Sequence, residues 1–229
     1  MSTWLFEPRV PTSVAVHGRS ERFPTRRVLC VGRNYAKHAV ESGGDPTREP
    51  PFFFDKPADS LVDTGSRVPY PPLTSNLHFE VELVVAIGTG GARISPAQAL
   101  SHVFGYAVGI DLTRRDLQSA AIKAGLPWDF SKGFDQCAPC APLHTVAEVG
   151  HPSKGRIWLE VNGAIKQDAD LTEMIWPVPD IIAQASEAMR LEPGDLIYTG
   201  TPAGVGPLVR GDRVKAGIDG IGEITIEIV

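Results

Sequence analysis

The chain has 229 residues, 42% of them hydrophobic, and a net charge of −5. That size fits one domain able to bury roughly 70% of its unfolded surface, and the lack of a basic block argues against nucleic acid or an anionic membrane as a partner. No apolar run reaches the length of a membrane span, and three cysteines, an odd number, argue against a disulfide scaffold and for a reducing cytoplasm.

Residues 1–26 read as a lead-in of strand and loop, ahead of a core at 27–229. Val28 to Gly32 is a short buried strand. Asn34 is placed to cap a helix that runs to about Ser42 and stops at Gly43-Gly44. Pro50 to Lys56, with its triple Phe, reads as a strand, and Arg67 to Thr74 as an irregular connector. Leu77 to Ile87 is a strand carrying two glutamates. Ser95-Pro96 opens a short helix, and Val103 to Asp111 is another buried strand. Thr113 and Asp116 have capping-box spacing for a helix reaching Ala124. Trp158 to Gln167, broken by Asn162-Gly163, is a hairpin. Asp180 to Arg190 is an amphipathic helix. Strands follow at 196–198, 213–215 and 223–229. The sum is a β-rich α+β domain with short peripheral helices.

Within the 77–87 strand, Glu80 and Glu82 point to one face with Cα atoms roughly 7 Å apart. Two like charges in an apolar strand repel unless a cation holds them. Hard oxygen donors suit Mg²⁺ or Mn²⁺; the plain alternative is an edge strand with both side chains in water. His38 and Glu41, three apart on a helix, share a face, and a carboxylate beside an imidazole suits it to activate water. Lys132 follows the aromatic stretch Pro127 to Phe130 and is a candidate for anion stabilisation, against a surface loop lysine. Thr199 to Gly206 is a glycine-rich loop able to bring N–H groups to an anion, or simply a turn. Cys137 and Cys140 form a C-x-x-C without a second pair, and both read as buried side chains.

Together these segments resemble the fumarylacetoacetate hydrolase family. The resemblance rests on G-R-N-Y-x-x-H-x-x-E (Gly32 to Glu41), F-x-K-P (Phe54 to Pro57), H-F-E-V-E-L (His78 to Leu83), G-x-D-L-T-R-R-D (Gly109 to Asp116), G-L-P-W…K (Gly125 to Lys132) and T-G-T-P-x-G-V-G (Thr199 to Gly206). It implies a single catalytic domain with a β-rich mixed sheet, or β-roll, of the family's C-terminal-domain type. Glu80, Glu82 and Asp111 would hold one Mg²⁺ or Mn²⁺, His38 and Glu41 would activate water, and Lys132 would stabilise negative charge. Gln118, Thr201, Arg33 and Arg115 would contact substrate. The implied reaction is hydrolysis of a C–C bond in an acylpyruvate (a 2,4-dioxo acid), with fumarylpyruvate the leading substrate, by a cytoplasmic homodimer. The alternatives are decarboxylation of oxaloacetate or a related β-keto acid, and isomerisation or dehydration of a 2-oxo acid, on the same metal site. Apolar segments at Trp176 and Ile181-Ile182 are candidates for the dimer face.

Overall fold

The strand Val81–Ile87 is buried along its whole length, as expected of a continuous aliphatic run covered on both faces. The computed structural model of the chain describes residues 3–7, 10–41 and 50–229, with the backbone alone at Glu41. Val81–Ile87 pairs antiparallel with Val103–Ile110 on one side and with Asp195–Tyr198 on the other. Beyond Asp195–Tyr198 lie Arg27–Gly32, parallel to it, and then Phe52–Lys56. Beyond Val103–Ile110 lie Ala138–Cys140 and Leu61–Asp63, with His144–Thr145 also on that strand. A second sheet runs in the order 164–170, 156–161, 213–218, 222–228 and 67–68. One core joins the two, with Leu83, Val85 and Val108 from the first sheet and Leu159, Ala216 and Ile226 from the second. The mixed, β-rich α+β architecture is the one the sequence predicts.

The Asn162-Gly163 hairpin forms with both residues at positive φ (54° and 82°), the geometry of a type I′ turn. Gly32 is required by a close approach: a Cβ there would lie 2.1 Å from the Phe52 ring.

Four local expectations change. The predicted 77–87 strand is two strands, Leu77–Phe79 and Val81–Ile87, broken at Glu80. The first belongs to a separate three-stranded sheet with Thr113–Arg114 and Gly206–Leu208. The helix Arg115–Ala124 has no side-chain cap. Thr113 instead accepts from Lys132, and Asp116 from Thr74 and Ser75. Asn34 does not cap the helix Ala36–Glu41, because its amide bonds Trp176 and Thr199. Ile181 and Ile182 are buried in the protomer's own core and form no outer face, while Trp176 packs against that core partly exposed. The stop at Gly43-Gly44 lies outside the described residues. Among the described residues, no helix is long and apolar enough to cross a membrane.

Candidate metal centre and active site

Antiparallel pairing sets Val81 opposite Ile110. The start of one strand therefore meets the end of the other, and Asp111 N–H donates to the Glu80 carbonyl at 2.8 Å. Glu80, Glu82 and Asp111 come together there, all buried, each offering an oxygen within 4.8 Å of the others. The plain alternative of solvated glutamates fails because the strand is central and not at an edge.

Three buried anions need cations, and the chain supplies some. The Lys132 ammonium donates to Glu80 at 2.8 Å, to Asp111 at 2.7 Å and to the Thr113 hydroxyl at 2.7 Å. An ammonium has three donors, so all are engaged. Lys56, fully buried, pairs with the other Asp111 oxygen at 2.7 Å and donates to the carbonyls of Leu112 (3.0 Å) and Lys132 (2.6 Å). Burial alone would lower the Lys56 pKa, but the Asp111 charge more than offsets it and holds the amine protonated. Arg115 bonds the remaining Glu80 oxygen, the Gln118 carbonyl oxygen and His78 Nδ1 (3.3 Å). Burial would raise Glu80, yet Lys132 and then Arg115 hold it well below the usual carboxylate range.

Glu82 is different. It accepts one hydrogen bond, from Gly200 N–H at 2.7 Å, and no ion pair among the described residues reaches it. Burial, then the charges of Asp111 and Glu80, push its carboxyl well above the ordinary range. Glu82 is thus the one carboxylate of the three without a cation partner among the described residues, and three hard carboxylate oxygens fit Mg²⁺ or Mn²⁺. The glycine-rich loop serves this ligand directly. Gly200 stands at φ 94°, and a Cβ there would be 2.7 Å from that of Asn34.

The centre opens into a cavity of about 390 Å³. His38, Glu80, Glu82 and Lys132 line it, and so do Arg33, Arg115, Gln118 and Thr201. Asp111 stands behind them, wholly buried. Glu41 ends the His38 helix, and its side chain lies outside the described residues. Arg115 spends its guanidinium on Glu80, Gln118 and His78, which makes it an organiser of the site. With the Gln118 oxygen taken by Arg115, the two amide N–H groups of Gln118 are left for a ligand. Arg33, at φ 57°, lies over the Phe52 ring at 5.8 Å. Phe54 and Trp128 add apolar lining.

Sequence reasoning missed three residues that shape this site. Lys56 stood in the F-x-K-P motif, where a lysine inside an apolar strand was the available signal. His78 precedes the glutamates in H-F-E-V-E-L. Its Nδ1 accepts from Arg115 and its Nε2 faces Asn76 Oδ1 at 3.0 Å. Burial and then Arg115 push its pKa down to about 4, so the ring is neutral. Gln167 carries no local signal, since its partners are distant in sequence. Cys30, Cys137 and Cys140 are buried free thiols, as expected of the C-x-x-C pair.

His17, His144 and Glu148 form a second cluster of ligand-type side chains. The two imidazoles are stacked, with centroids 4.1 Å apart and planes at 22°. Their in-plane lone pairs are therefore nearly parallel and do not converge on one ion. The cluster is a ring stack beside a carboxylate, with His17 Nδ1 and Glu148 Oε1 at 3.4 Å.

Comparison with known proteins adds four findings. The family model described as fumarylacetoacetate (FAA) hydrolase C-terminal matches residues 27–229. A fumarylpyruvate hydrolase of Ralstonia sp is 46% identical over 187 residues, 80% of this chain and 95% of its own. A mitochondrial oxaloacetate tautomerase of Mus musculus is 42% identical over 196 residues, 86% of this chain and 88% of its own. Among solved structures, a fumarylpyruvate hydrolase of Pseudomonas aeruginosa in complex with Mn²⁺ and pyruvate is 49% identical, with a TM-score of 0.97 covering 99% of each chain.

Proposed function

Because the chain belongs to the fumarylacetoacetate hydrolase family, we propose that it hydrolyses acylpyruvates, with fumarylpyruvate and water going to fumarate and pyruvate as in breakdown of aromatic compounds. The observation that carries this reading is the convergence of three buried carboxylates, one lacking a cation partner, on a cavity that His38 also lines. Glu80, Glu82 and Asp111 would hold a divalent cation, which would supply Lewis acidity toward the substrate.

The chain's own groups do the rest. Gln118 N–H and the Thr201 hydroxyl donate to the substrate's anionic end. His38, oriented by Glu41, takes a proton from water for attack at the distal C4 carbonyl. C3–C4 then breaks, and the pyruvoyl half is protonated at C3. Lys132 keeps Glu80 and Asp111 in place. The oxyanion role expected of it requires one of its three present bonds to be exchanged for a substrate oxygen. The walls of Phe54 and Trp128 keep bulk water from the cleaved bond.

Residues 1–229 form one catalytic domain in this reading, with its core at 27–229, working as a homodimer in the cytoplasm. Three unpaired buried thiols fit a reducing compartment. Light scattering reads the assembly directly.

The second reading is keto–enol or decarboxylation chemistry on oxaloacetate, favoured by the similarity to the murine tautomerase. It needs the same carboxylates but no activated water. The test is to supply fumarylpyruvate, acetylpyruvate and oxaloacetate with Mn²⁺, with Mg²⁺ and with chelator, and to measure pyruvate, its co-product acid and oxaloacetate tautomers. Metal-dependent release of fumarate and pyruvate supports the hydrolase; turnover of oxaloacetate alone moves the protein to the second reading.

The His38→Ala variant should lose about 10²–10⁴ in kcat for acylpyruvate hydrolysis while Mn²⁺ binding by calorimetry is retained. Loss of Mn²⁺ binding together with activity would remove the water-activating role.

A further inference from the structure

Gln167 lies in the strand Ala164–Asp170 between exposed neighbours Lys166 and Asp168, yet it is itself fully buried. A buried amide is costly unless its donors and acceptor are satisfied. All three bonds of Gln167 run to the two sides of the candidate site. Its Oε1 accepts from Val81 N–H at 2.9 Å. Its Nε2 donates to the Pro202 carbonyl and to Thr201 Oγ1, both at 2.8 Å.

The amide orientation is dictated by its partners, because a backbone N–H can only donate and a carbonyl can only accept. The second N–H of Nε2 therefore makes the Thr201 hydroxyl an acceptor. That hydroxyl makes no other hydrogen bond among the described residues. Its own proton cannot return to Nε2, and Thr201 lines the cavity. The two anchor points are also significant: Val81 stands between Glu80 and Glu82, and Thr201 follows Gly200, whose N–H holds Glu82.

We propose that Gln167 is a positioning residue that sets the polarity of the Thr201 hydroxyl, so that it meets the substrate as a donor to a carboxylate or 2-oxo oxygen. The inference rests on the acylpyruvate reading of the cavity. A simple clamp between two segments would act on stability whatever residue stood at 201, whereas a polarity device acts only through that hydroxyl.

The experiment measures pyruvate affinity of the Mn²⁺-loaded protein by calorimetry, with KM, kcat and melting temperature, for wild type, Thr201→Val, Gln167→Met and the double variant. Thr201→Val should weaken pyruvate binding about tenfold, the size of one hydrogen bond to a charged group. Gln167→Met should do the same, with KM rising more than kcat falls. The double variant should bind no more weakly than Thr201→Val alone. If Gln167→Met weakens binding by the same factor in both backgrounds, or leaves it untouched, the inference is overturned.

Should Gln167→Met fail to fold, Gln167→Glu replaces it. A carboxylate at this position still accepts from Val81 N–H but draws the Thr201 proton toward itself. Wild-type pyruvate affinity in that variant would equally overturn the inference. Absence of pyruvate binding by the Mn²⁺-loaded wild type would also overturn this inference. Wild-type hydrolysis of acylpyruvates, measured alongside, reports on that reading separately.

Discussion

Glu82→Gln should abolish activity and at the same time stabilise the metal-free protein. The two effects have one cause. Glu82 is buried beside Asp111 and Glu80, accepts only the Gly200 N–H, and has its carboxyl pushed well above the ordinary range. A carboxyl whose pKa is raised on folding adds stability at low pH, and that stability is lost as pH rises from the unfolded value through the folded one. In the metal-free protein Glu82 is therefore a liability at neutral pH. The Gln variant keeps an acceptor for Gly200 N–H and removes the repulsion. A relief of about 1 kcal/mol would raise the melting temperature by about 2–4 °C for a chain of this size. The same change removes a charged ligand. Changes to groups that merely support a metal ligand typically cost about 10–100-fold in affinity, so loss of a ligand should cost at least that in Mn²⁺ affinity, and acylpyruvate hydrolysis with it. Thermal melts with and without Mn²⁺ check both halves. A Gln variant that melts below wild type without metal, or gains as much from Mn²⁺ as wild type does, would contradict the assignment.

Lys56→Met should produce the largest loss of stability. Its ammonium is wholly buried, forms an ion pair with one Asp111 oxygen and donates to two backbone carbonyls. Methionine fills a similar volume but leaves Asp111 with Lys132 as its one remaining cation and the Leu112 carbonyl without its donor. Breaking one partner of a buried pair costs about 3–5 kcal/mol, which on the scale of about 2–4 °C per kcal/mol lowers the melting temperature by about 6–20 °C. Much of that cost is the Asp111 charge, left with one buried cation where it had two. The pair Lys56→Met with Asp111→Asn should therefore be more stable than Lys56→Met alone, a non-additivity expected of contacting residues. Circular-dichroism melts of the two single variants and the double decide it. Additive losses would mean that Lys56 acts through packing and not through Asp111.

These two sites show what was legible in the sequence. Alternating Glu80 and Glu82 in an aliphatic run identified two of the carboxylates because strand periodicity fixes which side chains share a face, and Asp111 joined them only through the family resemblance. The Asn-Gly turn identified its hairpin because its backbone demands positive φ at both positions. The partition of cations among the carboxylates was not legible. Lys56, Lys132 and Arg115 reach the centre from three separate segments, and only tertiary pairing decides which oxygen each takes. The same holds for capping. Thr113 and Asp116 have the spacing of a capping box, yet Lys132 and the Thr74–Ser75 turn compete for them and win. Gln167 was invisible because its whole role lies in partners 86, 34 and 35 positions away.

The carboxylates ride on the most deeply paired strands of the molecule, while the helix from Arg115 to Ala124 becomes exposed beyond Gln118 and carries Ile122 and Lys123 along the cavity's outer part. Amide exchange should follow that division, slowest at 81–87 and 103–110 and fastest past residue 118. A chain built this way cannot easily drift in how it handles its anions, because any change there threatens the folded state. It can drift freely in what it admits at the mouth. Selection acting on such a scaffold would yield many substrates served by one invariant chemistry.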